Sequence, residues 1–236
     1  MKILALDSSG LVASVAILED DNLLAEYTIN YKKTHSQTLV PMLSEISKML
    51  SIDFSELDAI AIAKGPGSFT GIRIGSATAK GLGLALNVPL IPVGTVDALS
   101  YNLWGCSKLI CPIMDARREQ VYTGIYEFQN GMHKIHREQC AVSVSEVCTW
   151  INEMGRDVIF LGDGVPVYRE RIEELLKVPH EFAPCHMARQ RAASVGVLGM
   201  QYYQKGIFES ARDHKPDYLR LSQAERERLE KEHAKN

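Results

Sequence analysis

The chain alternates short apolar runs with polar, glycine-rich turns and with longer stretches of helical spacing. Residues 3–6 are wholly apolar and stop at Asp7, Ser8, Ser9 and Gly10, which predicts a buried strand ending in a turn. Residues 12–18 and 23–30 are two further strand-like runs joined by Glu19, Asp20, Asp21 and Asn22, so a hairpin is expected. Over residues 36–50, Leu39, Leu43, Ile46 and Leu50 recur at the spacing of one helical face. Pro41 falls near the first turn, where a missing N–H is tolerated. Residues 59–63 form a run of Ala and Ile that reaches Gly65, Pro66 and Gly67. Residues 70–86 read as a helix and 88–93 as another short strand.

The second half repeats this order. Residues 109–114 form an apolar strand ending at Asp115, the counterpart of Asp7. Residues 120–128 and 134–142 are strands around Asn130-Gly131, a strong hairpin signal. Residues 143–154 are helical, opened by Ser143 with Glu146 in the capping-box relation. Residues 158–161 form a buried strand that ends in Gly162, Asp163 and Gly164, matching the earlier glycine turn. A duplicated α/β unit follows, with a mixed five-stranded sheet in each half. The halves are expected at 1–106 and 107–222, with a densely charged tail over 223–236. The final helices of the second half, around residues 188–204, are less clearly patterned, so that half is expected to be reduced or rearranged.

Composition narrows the class. The chain has 236 residues, 46% of them hydrophobic and 23% charged, an ordinary balance for a globular protein. A net charge of −3 argues against gripping a nucleic-acid duplex unaided. No apolar run reaches the length of a membrane helix, and the N-terminus lacks the pattern of a signal peptide, so a cytoplasmic address without membrane association is expected. The five cysteines include no C-x-x-C pair, which argues against a disulfide framework or thiolate zinc site. The seven histidines include no pair four residues apart.

Candidate chemistry concentrates in the run from Gly65 to Gly75. Its glycines and the helix after it could hold phosphate on Gly65, Gly67 and Ser68, or could form a tight turn without a ligand. No Gly-Lys-Ser/Thr follows, so this is not a Walker A loop. Arg73 stands early in the helix, against the macrodipole, and calls for either an anion partner or solvent. Asp7, Ser8 and Ser9 could orient a metal-bound phosphate or close an Asx turn. Gly71, Gly75 and Ala79 make a small-residue stripe, readable as a partner interface or as internal packing. The expected interface joins this stripe to Leu39, Met42, Leu43, Ile46 and Met49. On that reading a Leu at position 75 weakens assembly and spares the fold.

The residues Ile3-Leu4-Ala5-Leu6-Asp7-Ser8-Ser9, the run from Gly65 to Gly75, Met114-Asp115-Ala116-Arg117, Gly162-Asp163-Gly164 and Pro216-Asp217-Tyr218-Leu219-Arg220 resemble, in that order, the TsaB (YeaZ) family over nearly the whole chain. The resemblance implies an α/β, actin-like and sugar-kinase-like (ASKHA) fold of two RNase-H-like halves. It implies a part in making the threonylcarbamoyl modification of tRNA, as a non-catalytic scaffold and activator of the paralogue TsaD, joined by the ATPase TsaE. It also implies tRNA contact only through the complex, a homodimer when isolated, no cofactor of its own and ATP or ADP only in the complex. Thr95 and Leu99 occupy the positions where TsaD-like enzymes carry a metal-binding His pair, so no metal or catalytic residues are expected here. The alternative is an independent enzyme, a weak nucleotide hydrolase or a glycoprotease-like peptidase.

Overall fold

The computed structural model describes residues 1–31 and 34–220. The charged tail expected over 223–236 lies outside the described residues. Strands β1 (Lys2–Asp7), β2 (Ala13–Glu19) and β3 (Asn22–Ile29) form an antiparallel meander, in which β2 and β3 are the expected hairpin. Helix α1 (His35–Leu50) leads to β4 (Ala59–Gly65), helix α2 (Phe69–Leu86) and β5 (Leu90–Gly94). The first sheet has the order β3-β2-β1-β4-β5, with β1, β4 and β5 parallel.

The second sheet repeats this plan. Its strands are β6 (Leu109–Asp115), β7 (Gln120–Gln129), β8 (Met132–Ser143), β9 (Val158–Leu161) and β10 (His180–Phe182), in the order β10-β9-β6-β7-β8. Helix α4 (Val144–Met154) and α5 (Val165–Leu175) pack on it. The Ser143 hydroxyl caps α4 by accepting from the Glu146 amide at 3.2 Å. Asn130 and Gly131 both take positive φ, at 52° and 75°, as a tight hairpin turn requires.

Two elements depart from the simple repeat. Helix α3 (Thr95–Ser100), short and largely buried, follows β5 directly. Helix α6 (Ala192–Gln204) crosses back and packs on β1, β2, β4 and β5 of the first sheet. Gly196 and Gly199 permit that approach, because a Cβ would lie 2.3 Å from Leu18 Cδ1 at the first and 2.7 Å from Ala61 Cβ at the second.

Alternation along the strands sorts the apolar residues into three cores. Leu4 and Leu6 face α1 and α2, while Ile3 and Ala5 face α3 and α6. Likewise Cys111 and Ile113 face α4 and α5, while Ile110 and Met114 join Ile3 and Ala5 in one middle core. Both faces of both sheets are therefore covered, which explains why the strands read as continuous apolar runs. The middle core belongs to both halves at once. Polar contacts reinforce it: the Tyr126 hydroxyl of the second half donates to Asp97 Oδ1 at 2.7 Å, and Ser100 Oγ pairs with His133 Nε2 at 2.8 Å. Burial raises the Asp97 carboxyl above its ordinary range and lowers His133 to about 4, so that imidazole is neutral at physiological pH.

The residues expected to meet a partner lie inside the chain. Leu39, Met42, Leu43 and Ile46 are buried against the first sheet, leaving only Met49 of that set exposed. Gly71, Gly75 and Ala79 line the inner face of α2. A Cβ on Gly75 would lie 2.3 Å from Ser8 Oγ and 3.2 Å from Ile62 Cδ1, so the glycine lets the helix sit on the end of β1. The small stripe packs against the chain's own β1 turn and β4, so a Leu at position 75 is expected to disturb the fold itself. The outward face of α2 carries Arg73, Ala77, Gly81, Leu84 and Ala85 instead.

Candidate functional site: the cleft between the halves

The corresponding strand ends of the two sheets meet at a cleft enclosing about 1280 Å³. One wall is the turn after β1 and the loop before α2; the other is Met114 and Asp115 at the end of β6, Ala116 and Arg117 beyond it, and Asp163 after β9. The internal repeat thus sets the end of β1 and the end of β6 on opposite sides of one space, with Asp115 lining it and Asp7 behind the surface.

The first wall is closed tightly on itself. Asp7 is fully buried, and its Oδ1 accepts from the Ser9 amide at 2.9 Å and the Ser9 hydroxyl at 2.6 Å. Ser8 Oγ donates to the Gly71 carbonyl at 2.8 Å. The Ser68 amide donates to the Ser9 carbonyl at 2.6 Å, and a Cβ on Gly67 would fall 2.2 Å from that carbonyl oxygen. The glycine at 67 therefore serves backbone-to-backbone contact between loop and turn. Gly65, at φ 119° before a cis Pro66, leaves room for the Asp217 carbonyl, which a Cβ would approach to 2.3 Å.

The electrostatics favour a proton over an added anion. Burial lifts Asp7 to about 6, although the two Ser9 donors pull it down and Asp163 across the cleft pushes it up. Burial also raises Asp163. Asp115 is exposed; its Oδ1 accepts from the Arg117 amide at 2.8 Å and from the Tyr168 hydroxyl at 3.0 Å. Among the described residues, Asp115, Asp163 and Asp217 line the cleft with Arg117 and Arg220.

Of the residues predicted for phosphate, Ser9, Gly67 and Ser68 line the cleft. Asp7, Ser8 and Gly65 lie behind that surface, in internal contacts. Arg73 is exposed and is met by aromatic side chains among the described residues: its guanidinium stacks on Phe69 at 3.9 Å and its Nε donates to the Tyr218 hydroxyl at 3.1 Å. The amides of Gly71 and Ile72 are used by Ser68, through its hydroxyl and carbonyl. Among the described residues, a triphosphate would meet two remaining first-turn amides and a lining with three aspartates and no lysine, a poor match for a nucleotide.

Residues not singled out for this site also contribute. His35 lines the cleft and donates from Nε2 to the Gly10 carbonyl at 2.9 Å, leaving its buried Nδ1 unpartnered. Gln190 is fully buried beneath Gly10, whose absent Cβ would lie 2.6 Å from its amide nitrogen. Nothing in their spacing marks either one, because they reach the cleft only through long-range packing.

Two RNase-H-like sheets of identical strand order, facing one another across a cleft at equivalent strand ends, define a two-lobed α/β protein of the actin-like and sugar-kinase-like class. The family model described as "TsaD: tRNA N6-adenosine threonylcarbamoyltransferase" matches residues 22–228. The tRNA threonylcarbamoyladenosine biosynthesis protein TsaB of Bacillus subtilis (strain 168) is 34% identical over 230 residues, covering 98% of this chain and 99% of that protein. The chain belongs to the TsaB (YeaZ) family, a branch of the TsaD-like proteins. TsaB of Escherichia coli (strain K12) is 29% identical over 168 residues, covering 70% of this chain and 72% of that one. YeaZ from Pseudomonas aeruginosa superposes with a TM-score of 0.77 at 27% identity, over 92% of this chain and 99% of that one. A second Pseudomonas aeruginosa crystal structure, described as similar to peptidase YEAZ, gives 0.81 at 27% identity, over 93% and 99% of the two chains.

Proposed function

We propose that this chain is a non-catalytic scaffold and activator in the formation of threonylcarbamoyladenosine on tRNA. It pairs with a TsaD-type transferase, is joined by a TsaE-type ATPase, and meets tRNA only through that assembly. It works in the cytoplasm, carries no nucleotide or metal of its own, and pairs with itself when the transferase is missing. The observation that carries this reading is the state of Thr95 and Leu99. Both are buried, at 0% and 1% exposure, Leu99 in the core shared by the two halves, and the Thr95 hydroxyl has no hydrogen-bond partner among the described residues. A hydroxyl and an isobutyl group packed there supply no pair of imidazole ligands.

The pairing surface in this proposal is the outward face of α2 with its neighbour α1. Ala77, Gly81 and Ala85 keep that face low, Leu84 is 57% exposed, and Val40 and Met49 on α1 are 59% and 68% exposed. Small residues allow close approach of a partner helix, and the flanking apolar side chains supply area. Co-purification with a TsaD homologue tests the surface. Ala77→Glu and Leu84→Glu are expected to abolish pairing without moving the melting temperature. Retained pairing in both variants would remove this face from the proposal.

A further inference from the structure

We propose that residues 214–220 form a strap that gates the cleft, hinged on the first half and latched on the second by Arg220. Lys80, midway along α2, donates to the Arg212 and His214 carbonyls at 3.0 and 2.9 Å. His214 is buried and pairs with Ser76 Oγ at 3.1 Å and Glu209 Oε1 at 2.7 Å. The Asp217 amide then donates to the Lys64 carbonyl at 2.7 Å, at the end of β4. Tyr218 packs on Phe69 with ring centroids 4.7 Å apart and accepts from Arg73. After this series of anchors along α2 the chain crosses the cleft, where Tyr218, Leu219 and Arg220 all line the cavity.

The far end is held differently. The Arg220 guanidinium donates to the Ala116 carbonyl and, at 3.3 Å, to the Arg117 carbonyl. It therefore grips the backbone of the turn between β6 and β7. That turn is under conformational load: Arg117, Arg118 and Glu119 take consecutive positive φ values of 63°, 55° and 59° without a glycine among them. A turn of that kind persists where contacts hold it, and the half-buried Arg220 guanidinium is one contact that can be released. The two halves, by contrast, are joined through the middle core, the Tyr126–Asp97 bond and the Ser100–His133 bond. Entry to the cleft is therefore governed by release of the strap at Arg220, with the halves keeping their relative position.

Hydroxyl-radical footprinting read by peptide mass spectrometry tests this on the full chain. In Arg220→Ala, His35 and Ile74 in the cleft are expected to gain modification rate by at least about threefold, and Tyr218 on the strap, already 39% exposed, to gain less. Leu43 and Phe160, buried in the two outer cores, are expected to keep theirs. Arg220→Lys, which restores one donor, is expected to fall between. Unchanged cleft labelling in Arg220→Ala overturns the gate. Raised labelling throughout the outer cores overturns it equally, since the segment would then be part of the global fold. Tyr218→Ala, loosening the hinge side at the surface, provides a second reading: it too must raise labelling of His35, and failure to do so contradicts the strap.

Discussion

Replacing Asp7 with Asn should stabilise the protein above neutral pH and have little effect near pH 4. The carboxyl is fully buried at the end of β1, and its value rises from 3.8 to about 6 through burial. For an acid whose folded value is raised, the folded state binds the extra proton between those two values. Stability is then highest below about 3.8 and falls as pH rises through 6. The shift corresponds to about 3 kcal/mol of stability lost by pH 8, at about 1.4 kcal/mol per pH unit. Asn removes the charge and keeps an oxygen to accept from the Ser9 amide and hydroxyl, which now sit 2.9 and 2.6 Å from Oδ1. The variant should therefore recover about 1–3 kcal/mol at pH 8, a rise of about 2–4 °C in Tm for each kcal/mol in a chain of this size. Urea denaturation of both proteins at pH 4, 6 and 8 reads the effect directly. A difference that stays constant across the three pH values, or an Asn variant less stable at pH 8, would refute the reasoning.

Gly75→Ala should destabilise by about 1–3 kcal/mol by driving Ser8 Oγ off the Gly71 carbonyl, and Gly75→Leu should fail to fold; thermal melts and soluble yield check both. Gly196→Ala should cost a similar amount by overpacking α6 on Leu18, with the loss visible in the same melts. Tyr126→Phe should cost about 1.5–3 kcal/mol by leaving Asp97 without its donor, and a denaturation midpoint unchanged from the parent would remove that bond from the account.

The architecture could be read from periodicity because each strand is buried on both faces. Continuous apolar runs in β1, β4, β6 and β9 marked both sheets, and the match of Asp7 with Asp115 marked the repeat. Helix α6 was harder to place, since Gly196 and Gly199 leave its inner face without the large apolar residues that sequence periodicity detects. The small stripe on α2 misled for a related reason. Spacing reports that a neighbour comes close without saying whether that neighbour is the chain's own β1 turn or another subunit. The glycines at 65 and 67 likewise accommodate Asp217 and Ser9 carbonyls, which are distant or separate in sequence. Arg73 was legible as a cation in search of a partner, but its partners are the aromatic faces of Phe69 and Tyr218, the latter 145 residues away. His35 and Gln190 carried no local signal at all.

The central claim is that this chain acts through a partner and performs no chemistry of its own. Reconstituted modification of unmodified tRNA tests it most directly, with the chain, a TsaD homologue, a TsaE homologue and the threonylcarbamoyl donor combined and each protein omitted in turn. The account predicts that product requires this chain, and that the chain without the TsaD homologue forms none. Undiminished product in its absence, or product formed by this chain with the TsaD homologue left out, would contradict it.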